Sequence, residues 1–174
     1  MEKEWNTVDL LRFARHDWLN KIQLIKGNLS LGKLERVKEI IDEIVFQTQQ
    51  ESKLSNLSLP QLATLLLTYN WRNSPIVLDF EIVKMGDPKN IDDGEITSWL
   101  KHFFYMLENN VDEMANNFLT ITIQPEVNVI RFIFDFNGIL KDKDLFQTFM
   151  NENAPYITNT HWNENEFTLE VCWK

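Results

Sequence analysis

The sequence predicts an α+β protein: a helical hairpin over residues 1–57 that pairs with a second copy as a dimeric four-helix bundle, then a domain of sheet and helices over residues 58–174. Three observations carry this. Apolar residues spaced by three and four run through the first third of the chain, the period of a helix with one apolar face. After "LSNLSLP" the pattern changes to mostly apolar or helix-periodic stretches, "QLATLLLTYNW" and "EITSWLKHFFYMLENNVDEMA". Interleaved with these are β-rich runs, the last of which, "EFTLEVCWK", alternates as a half-buried strand does.

From about Trp5 to Leu31, the residues Leu11, Ala14, Trp18, Ile22, Ile25 and Leu29 fall on one stripe of an amphipathic helix. Gly32 suits the break that follows, and "KLERVKEIIDEIVFQTQQESKL" repeats the pattern with Leu34, Val37, Ile41 and Ile44. Two antiparallel helices joined by so short a turn bury only part of their stripes, and a stable bundle generally wants four. A second copy would supply the missing pair; the alternative is that the hairpin packs on the rest of its own chain. Beyond it, "IVLDFEIV" reads as a strand, and "GDPKNIDDGE" as an acidic exposed loop. "FLTITIQ" and "NVIRFIFDF" read as strands flanking the turn-like "PEVN", and "DLFQTFMNE" as a short helix. The expectation is an antiparallel sheet with helices on one face.

A hydrophobic fraction of 44%, with 12 Phe and 6 Trp in 174 residues, supplies a core and excludes wholesale disorder. The formal charge of −9 disfavours a phosphate backbone, so nucleic acid is a poor partner. A single cysteine, Cys172, excludes an internal disulfide and a thiolate metal cluster, and fits a reducing compartment. No apolar run reaches signal-peptide or membrane-spanning length. The expectation is a cytoplasmic protein that does not engage a membrane.

On a wheel of about 100° per residue, His16 points directly away from the apolar stripe of the first helix. Arg12 and Asn20 lie about 40° to either side of it, and Gln23 and Gly27 within about 20°. That outer stripe is polar and flat. A glycine in an exposed helix interior costs on the order of 1 kcal/mol relative to alanine; Gly27 either leaves clearance for another protein or begins to loosen a helix that ends four residues later. For His16 the plain alternative is an ordinary surface histidine. The functional reading is a nucleophile that carries a phosphoryl group, because neutral imidazole offers a lone pair and its bond to phosphorus is reactive.

The run "RHDWLNKIQLIKGNLSL", followed by a second helix ending in "ESKLSNL", resembles the sporulation initiation phosphotransferase B family of spore-forming bacilli. The His-Asp-aromatic-Leu-Asn-Lys pattern is shared with the dimerisation helix of some sensor histidine kinases. The resemblance covers residues 10 to 57 in sequence, and the remainder in layout. It implies a homodimer through a four-helix bundle, His16 as the phosphorylated residue, and response regulators as phosphoryl donor and acceptor. Their magnesium would sit in the regulator's own acidic pocket, and this chain would hold neither metal nor cofactor. Asp17 would be a possible assisting acid. Arg12, Phe13, Asn20, Gln23, Leu24 and Gly27 would be docking contacts, with Phe13 and Leu24 having an alternative place at the bundle's edge.

The same resemblance makes the second domain an α/β sandwich related to the kinase ATP-binding fold but without a nucleotide lid. "MLENNVDEMA", with Asn109, and "DFNGIL", with Asp135 and Gly138, are faint remains of two nucleotide motifs. The chain's five glycines, Gly27, Gly32, Gly86, Gly94 and Gly138, form no cluster of the kind that approaches a polyphosphate. The activity expected is therefore a histidine phosphotransferase. The alternatives are a kinase relative that autophosphorylates with ATP, and a non-catalytic dimerisation protein. His102 is read as a helix residue satisfied by neighbours, and His161 as lying in the loop-like "NTHWNEN". Glu108, Asp112 and Glu113 are read as a wet helix face, and Cys172 as an unactivated thiol.

Overall fold

The computed structural model describes residues 6–83, 86, 88, 90–163 and 165–174. The chain divides into two compact units, Met1–Gln49 and Gln50–Lys174.

The first unit is the hairpin. Helix α1 spans Thr7–Ser30 and α2 spans Leu34–Ser55, the last turn of α2 belonging to the second unit. Asn6 caps α1 by accepting from the Asp9 N–H at 2.9 Å. At the other end Gly32 stands at φ +69°, where the N–H of Lys33 reaches the carbonyl of Asn28 and that of Gly32 reaches Leu29. These two bonds are the glycine-terminated helix stop that a side chain would strain.

Within α1 no residue is buried. The half-buried positions Leu10, Phe13, Ala14, Asp17, Lys21, Ile25 and Asn28 recur at helical spacing along one edge, and Val37, Ile40 and Ile44 are the more covered positions of α2. Beside that edge runs a second, open one: Leu11, Trp18, Ile22 and Leu29 are each 50–55% exposed. In α2, Leu34, Ile41 and Val45 are likewise exposed. The apolar stripe expected of α1 is thus two edges, one covered and one bare.

The second unit begins with the last turn of α2, whose Leu54 is fully buried together with Leu57 and Leu59. Helix α3 (Pro60–Leu67) follows, then a single 3-10 turn (Tyr69–Trp71), β1 (Ile76–Ile82), α4 (Asp93–Asn110), β2 (Asn117–Glu126), β3 (Val129–Asn137), α5 (Lys143–Glu152), β4 (Ile157–Trp162) and β5 (Glu166–Trp173). The sheet runs β1-β2-β3-β5-β4. It is mixed rather than antiparallel: β1 pairs parallel to β2, because α4 carries the chain back over the sheet between them. The other pairs are antiparallel.

Alternation places Leu119, Ile121 and Ile123 of β2, Phe132, Phe134 and Phe136 of β3, and Phe167, Leu169 and Val171 of β5 in the core. Trp99 and Phe103 of α4 and Phe149 of α5 pack there as well, with ring centroids of Trp99 and Phe103 5.9 and 4.9 Å from Phe134. The end of the edge strand β1 is stitched by Gln50, whose Oε1 accepts from the Ile82 N–H at 2.9 Å, and by Lys53, whose Nζ donates to the Ile82 carbonyl at 3.1 Å. Asp93 of α4 accepts from the Gln61 and Leu62 N–H groups, capping α3 where its own cap residue, Leu59, has no side-chain acceptor.

Two sequence readings are corrected here. "NTHWNEN" is not all loop: Asn159–Trp162 belong to β4, which pairs with β5, and His161 is exposed on it. The helix expected through "NNVDEMA" stops at Asn110, because Val111 leaves helical geometry to form a bridge with Leu140. Of the acidic loop "GDPKNIDDGE", Asp93, Gly94 and Glu95 open α4 and Asp92 caps it; Asp87 and Lys89 lie outside the described residues.

Candidate functional site

His16 is exposed on α1, about 60° round the helix from Phe13 and about 100° or more from the rest of the covered edge and from the bare apolar edge. Arg12, Asn20, Gln23 and Gly27, all exposed, extend its stripe. A Cβ built on Gly27 would meet nothing within 4 Å, and the Leu31 N–H still reaches the Gly27 carbonyl at 3.2 Å. The helix is therefore intact through Gly27, and the space over it is open.

The amide of Asn20 stands on the ring of His16, with Nδ2 3.2 Å from Nδ1. Asp17, the expected assisting acid, is turned toward the covered edge, where its carboxylate pairs with Lys21 Nζ at 2.9 Å. Lys21 also lies 5.7 Å from the Trp18 ring centroid. Arg12 pairs with Asp9 at 3.1 Å while its side chain stays largely exposed. Phe13 is half-buried, whereas Leu24 is 51% exposed at the border of the His16 stripe. On the opposite border Leu19, absent from the sequence-derived set, is 56% exposed. Its place three residues after His16 was the available signal, since residues three apart are neighbours on a helix surface. Helix α1 carries four basic side chains, Arg12, Arg15, Lys21 and Lys26, against the acids Asp9 and Asp17, in a chain whose net charge is −9.

The stretches read as remains of a nucleotide site are joined to each other. Asn110, 1% exposed, donates to the Asp142 carbonyl at 2.7 Å and accepts from the Asp142 N–H at 2.8 Å. The Lys141 N–H reaches the Asn110 carbonyl, and the Asp112 N–H reaches that of Ile139. Asn117, also buried, donates to the carbonyls of Pro75, Asp112 and Ala115 and accepts from the Ile139 N–H. Asn109 instead points outward and donates to the Tyr105 carbonyl of its own helix. Asp135 is exposed and accepts from Thr168 Oγ1 at 2.8 Å. Gly138 is needed because a methyl there would overlap the Asn117 amide and the Phe136 ring. These groups spend their hydrogen bonds on their own chain.

Elsewhere, His102 is exposed and edge-on to Phe149 at 5.4 Å. Glu108 is not simply wet: it accepts from Ser74 Oγ at 3.0 Å, and Ser74 contacts the buried Tyr69 hydroxyl. Burial first, and the nearby Glu108 carboxylate with it, holds the Tyr69 phenol well above its ordinary range. Asp112 accepts from the Met114 N–H, and Glu113 faces Lys141 at 3.9 Å. Cys172 is a free, half-buried thiol. Among the described residues, no group of three or more His, Cys, Asp or Glu side chains could hold a metal ion, and no helix is long and apolar enough to cross a membrane.

An exposed histidine on a helical hairpin, followed by a sheet-and-helix unit, defines a two-domain layout, and both of its parts match known families. Residues 1–57 match the family described as Sensor kinase SpoOB-type, alpha-helical domain, and residues 58–174 match Sporulation initiation phospho-transferase B, C-terminal. The chain belongs to the sporulation initiation phosphotransferase B family. A curated relative of that name from Bacillus subtilis (strain 168) is 39% identical over 144 residues, covering 80% of this chain and 73% of the relative. Among solved structures, the Acinetobacter baumannii histidine kinase AdeS matches with a TM-score of 0.47 at 14% identity, covering 91% of this chain and 97% of that one. The histidine kinase ThkA, solved in complex with response regulator protein TrrA, matches with a TM-score of 0.44 at 15% identity, covering 95% of this chain and 60% of that one.

Proposed function

We propose that this chain is a phosphorelay phosphotransferase: His16 takes a phosphoryl group from the aspartate of one response regulator and returns it to the aspartate of a second, in the initiation of sporulation. The observation that carries this reading is His16 itself, exposed on the polar outer stripe of α1 within "RHDWLNK". An imidazole buried in the hairpin could not meet an aspartyl phosphate held by another folded protein. On the outer stripe, an in-line approach to phosphorus is open, and positioning is most of what such a transfer needs.

The chain acts in this proposal as a cytoplasmic homodimer. The bare edges of α1 and α2, with Trp18, Ile22, Ile41 and Val45 each close to half exposed, are the surface a second copy would cover. Arg12, Phe13, Asn20, Gln23, Leu24 and Gly27 supply the docking surface, and Leu19 completes its far border. The excess of basic over acidic side chains on α1 favours an acidic partner surface. The magnesium that neutralises the transferring oxygens is assigned to the regulator's acidic pocket, not to this chain. The internal bonding of Asn110 and Asn117 favours this reading over an ATP-dependent kinase.

The test uses two response regulators, the first labelled with phosphate on its aspartate. Label is expected to reach the second only when this chain is present, and His16→Gln is expected to reduce that transfer at least about 10³-fold by removing the nucleophilic nitrogen. Transfer by His16→Gln at the parent's rate overturns the reading. Labelling by ATP and magnesium alone would move the chain to the kinase class.

A further inference from the structure

We propose that the free edge of β4, with the groove between it and α5, docks an extended basic segment of another protein, added to the sheet as a further strand. This site lies wholly within the second unit and does not depend on the phosphotransfer reading. The two edges of the sheet are finished differently. On the β1 edge the N–H groups that point outward are taken by side chains: that of Ile76 reaches Ser74 Oγ, that of Leu78 reaches Asn70 Oδ1, that of Phe80 reaches Asp79 Oδ1 and that of Ile82 reaches Gln50 Oε1. The Leu78 and Ile82 carbonyls accept from Asn70 and Lys53. Such an edge is closed to a further strand.

The β4 edge is open. The Asn163 N–H reaches the Glu166 carbonyl at 2.8 Å at one end of the β4–β5 pair, and the Cys172 N–H reaches the Tyr156 carbonyl at 2.9 Å at the other. Bonded and non-bonded pairs alternate along an antiparallel ladder. Counted inward from either end, with the register shift between Ile157 and Asn159, this makes Thr160–Leu169 and Trp162–Phe167 non-bonded pairs. The N–H and C=O groups of Thr160 and Trp162 therefore point away from β5, to the side where the sheet ends. Outside the strand pairing, no described residue bonds to them. Both side chains line a groove of about 290 Å³ against α5, with Met150, Ala154 and Ile157 on its apolar wall and Gln147 and Asn151 as its amides. Phe146 of α5 holds the Trp162 ring, centroids 4.8 Å apart. Open main-chain groups beside a side-chain groove are what an extended peptide uses when it joins a sheet edge.

Charge selects the occupant. Residues 58–174 hold 8 Lys and Arg against 17 Asp and Glu, the whole of the net −9, whereas residues 1–57 balance at 9 of each. The face of the sheet turned away from the helices carries Asp135, Glu166 and Glu170 against Arg131. A strand added to β4 lies about 10 Å from β5, and its side chains alternate between the two faces. Apolar residues enter the groove, and Lys or Arg between them overhang these acids. A second copy of this chain, equally acidic in this domain, is repelled.

The experiment uses the full chain and a blocked peptide of alternating lysine and valine about as long as β4, with a glutamate–valine peptide of the same length beside it. The lysine peptide is expected to bind saturably and to slow hydrogen exchange at the Thr160 and Trp162 amides at least about 10-fold, with the Leu78 and Phe80 amides unchanged. The glutamate peptide is expected to bind at least about 10-fold more weakly. Thr160→Pro removes one outward N–H from an edge strand, and Ala154→Phe fills the groove; each is expected to weaken the lysine peptide at least about 5-fold. If Thr160→Pro lowers the thermal midpoint, Ala154→Phe, at an exposed turn, decides. Binding that leaves exchange at Thr160 and Trp162 unchanged is attraction to an acidic surface only and overturns the proposal. Equal affinity for the two peptides, no binding of the lysine peptide, or parent-like binding by Ala154→Phe overturns it as well. Protection of Thr160 and Trp162 that grows with the concentration of the chain alone makes a second copy the occupant, and overturns it too.

Discussion

The hairpin and the sheet unit treat their side chains in opposite ways. The second unit encloses a core in which Phe103, Phe132, Phe134, Leu169 and Val171 are all fully inaccessible, although Val77, Phe118 and Val127 stand open on its surface. Its buried asparagines, Asn110 and Asn117, meet partners within the same unit. In the hairpin no residue of α1 is buried, large apolar side chains stand half exposed along one edge, and the histidine stripe keeps its polar groups for solvent. One unit encloses a core of its own, and the helices of the other leave large apolar side chains open. In the phosphotransfer reading proposed above, the chemistry lies on the hairpin and the sheet has a supporting role.

The contrast can be attacked from either side. The largest effect is expected from Trp18→Asp combined with Ile22→Asp, which would bury two unpaired carboxylates per copy in a dimer seam. Each costs several kcal/mol, so self-association should weaken by more than about 10³-fold in sedimentation, while the thermal transition of the second unit stays in place. If the parent chain is already a monomer at micromolar concentration, the bare edges are not a dimer seam. In the second unit, Phe103→Ala should cost about 3–5 kcal/mol of stability by leaving a cavity among Trp99, Phe134 and Phe149. A denaturation midpoint equal to the parent's would show a looser core than the packing implies. Asn110→Leu removes both bonds to Asp142 and should cost about 1–3 kcal/mol, with faster hydrogen exchange at the Lys141 and Asp142 amides. Unchanged exchange there would detach Asn110 from the segment it holds.

The smallest expected effect is on alkaline stability. The Tyr69 phenol is raised in the folded chain, chiefly by burial. Its contribution is therefore fully present below the unfolded phenol's value of about 10. Above that the unfolded chain loses the proton first, and stability falls with rising pH by at most about 1.4 kcal/mol per pH unit from this group. Tyr69→Phe should flatten that part of the curve; an unaltered slope would mean that other groups govern it.

Helix periodicity was enough to find the hairpin and the outward face of His16, because both depend only on spacing along one helix. It merged the two apolar edges of α1 into a single stripe. Leu11 and Ile25 lie about 40° apart on the wheel, too little to separate by pattern, yet one is exposed and the other half covered. Strand β4 left no signal, because it is an edge strand whose Thr158, Asn159, Thr160 and His161 are all exposed, so nothing alternates. The parallel pairing of β1 with β2 arises from the path of α4 and is not local to either strand. Asn110 and Asn117 are polar residues with a buried fate, and only the carbonyls and amides that the fold brings to them reveal it. The partner of the His16 ring was legible in principle: Asn20 is four residues on, the spacing at which helix side chains meet.

The most direct test of the account is to locate the phosphate. After incubation with a phosphorylated response regulator and separation from it, the chain should carry one acid-labile, base-stable phosphoryl group. Peptide mapping under alkaline conditions should place it on His16, in the α1 segment. A phosphoryl group on His102, on His161 or on a carboxylate, with His16 unmodified, would contradict the assignment of His16 as the nucleophile.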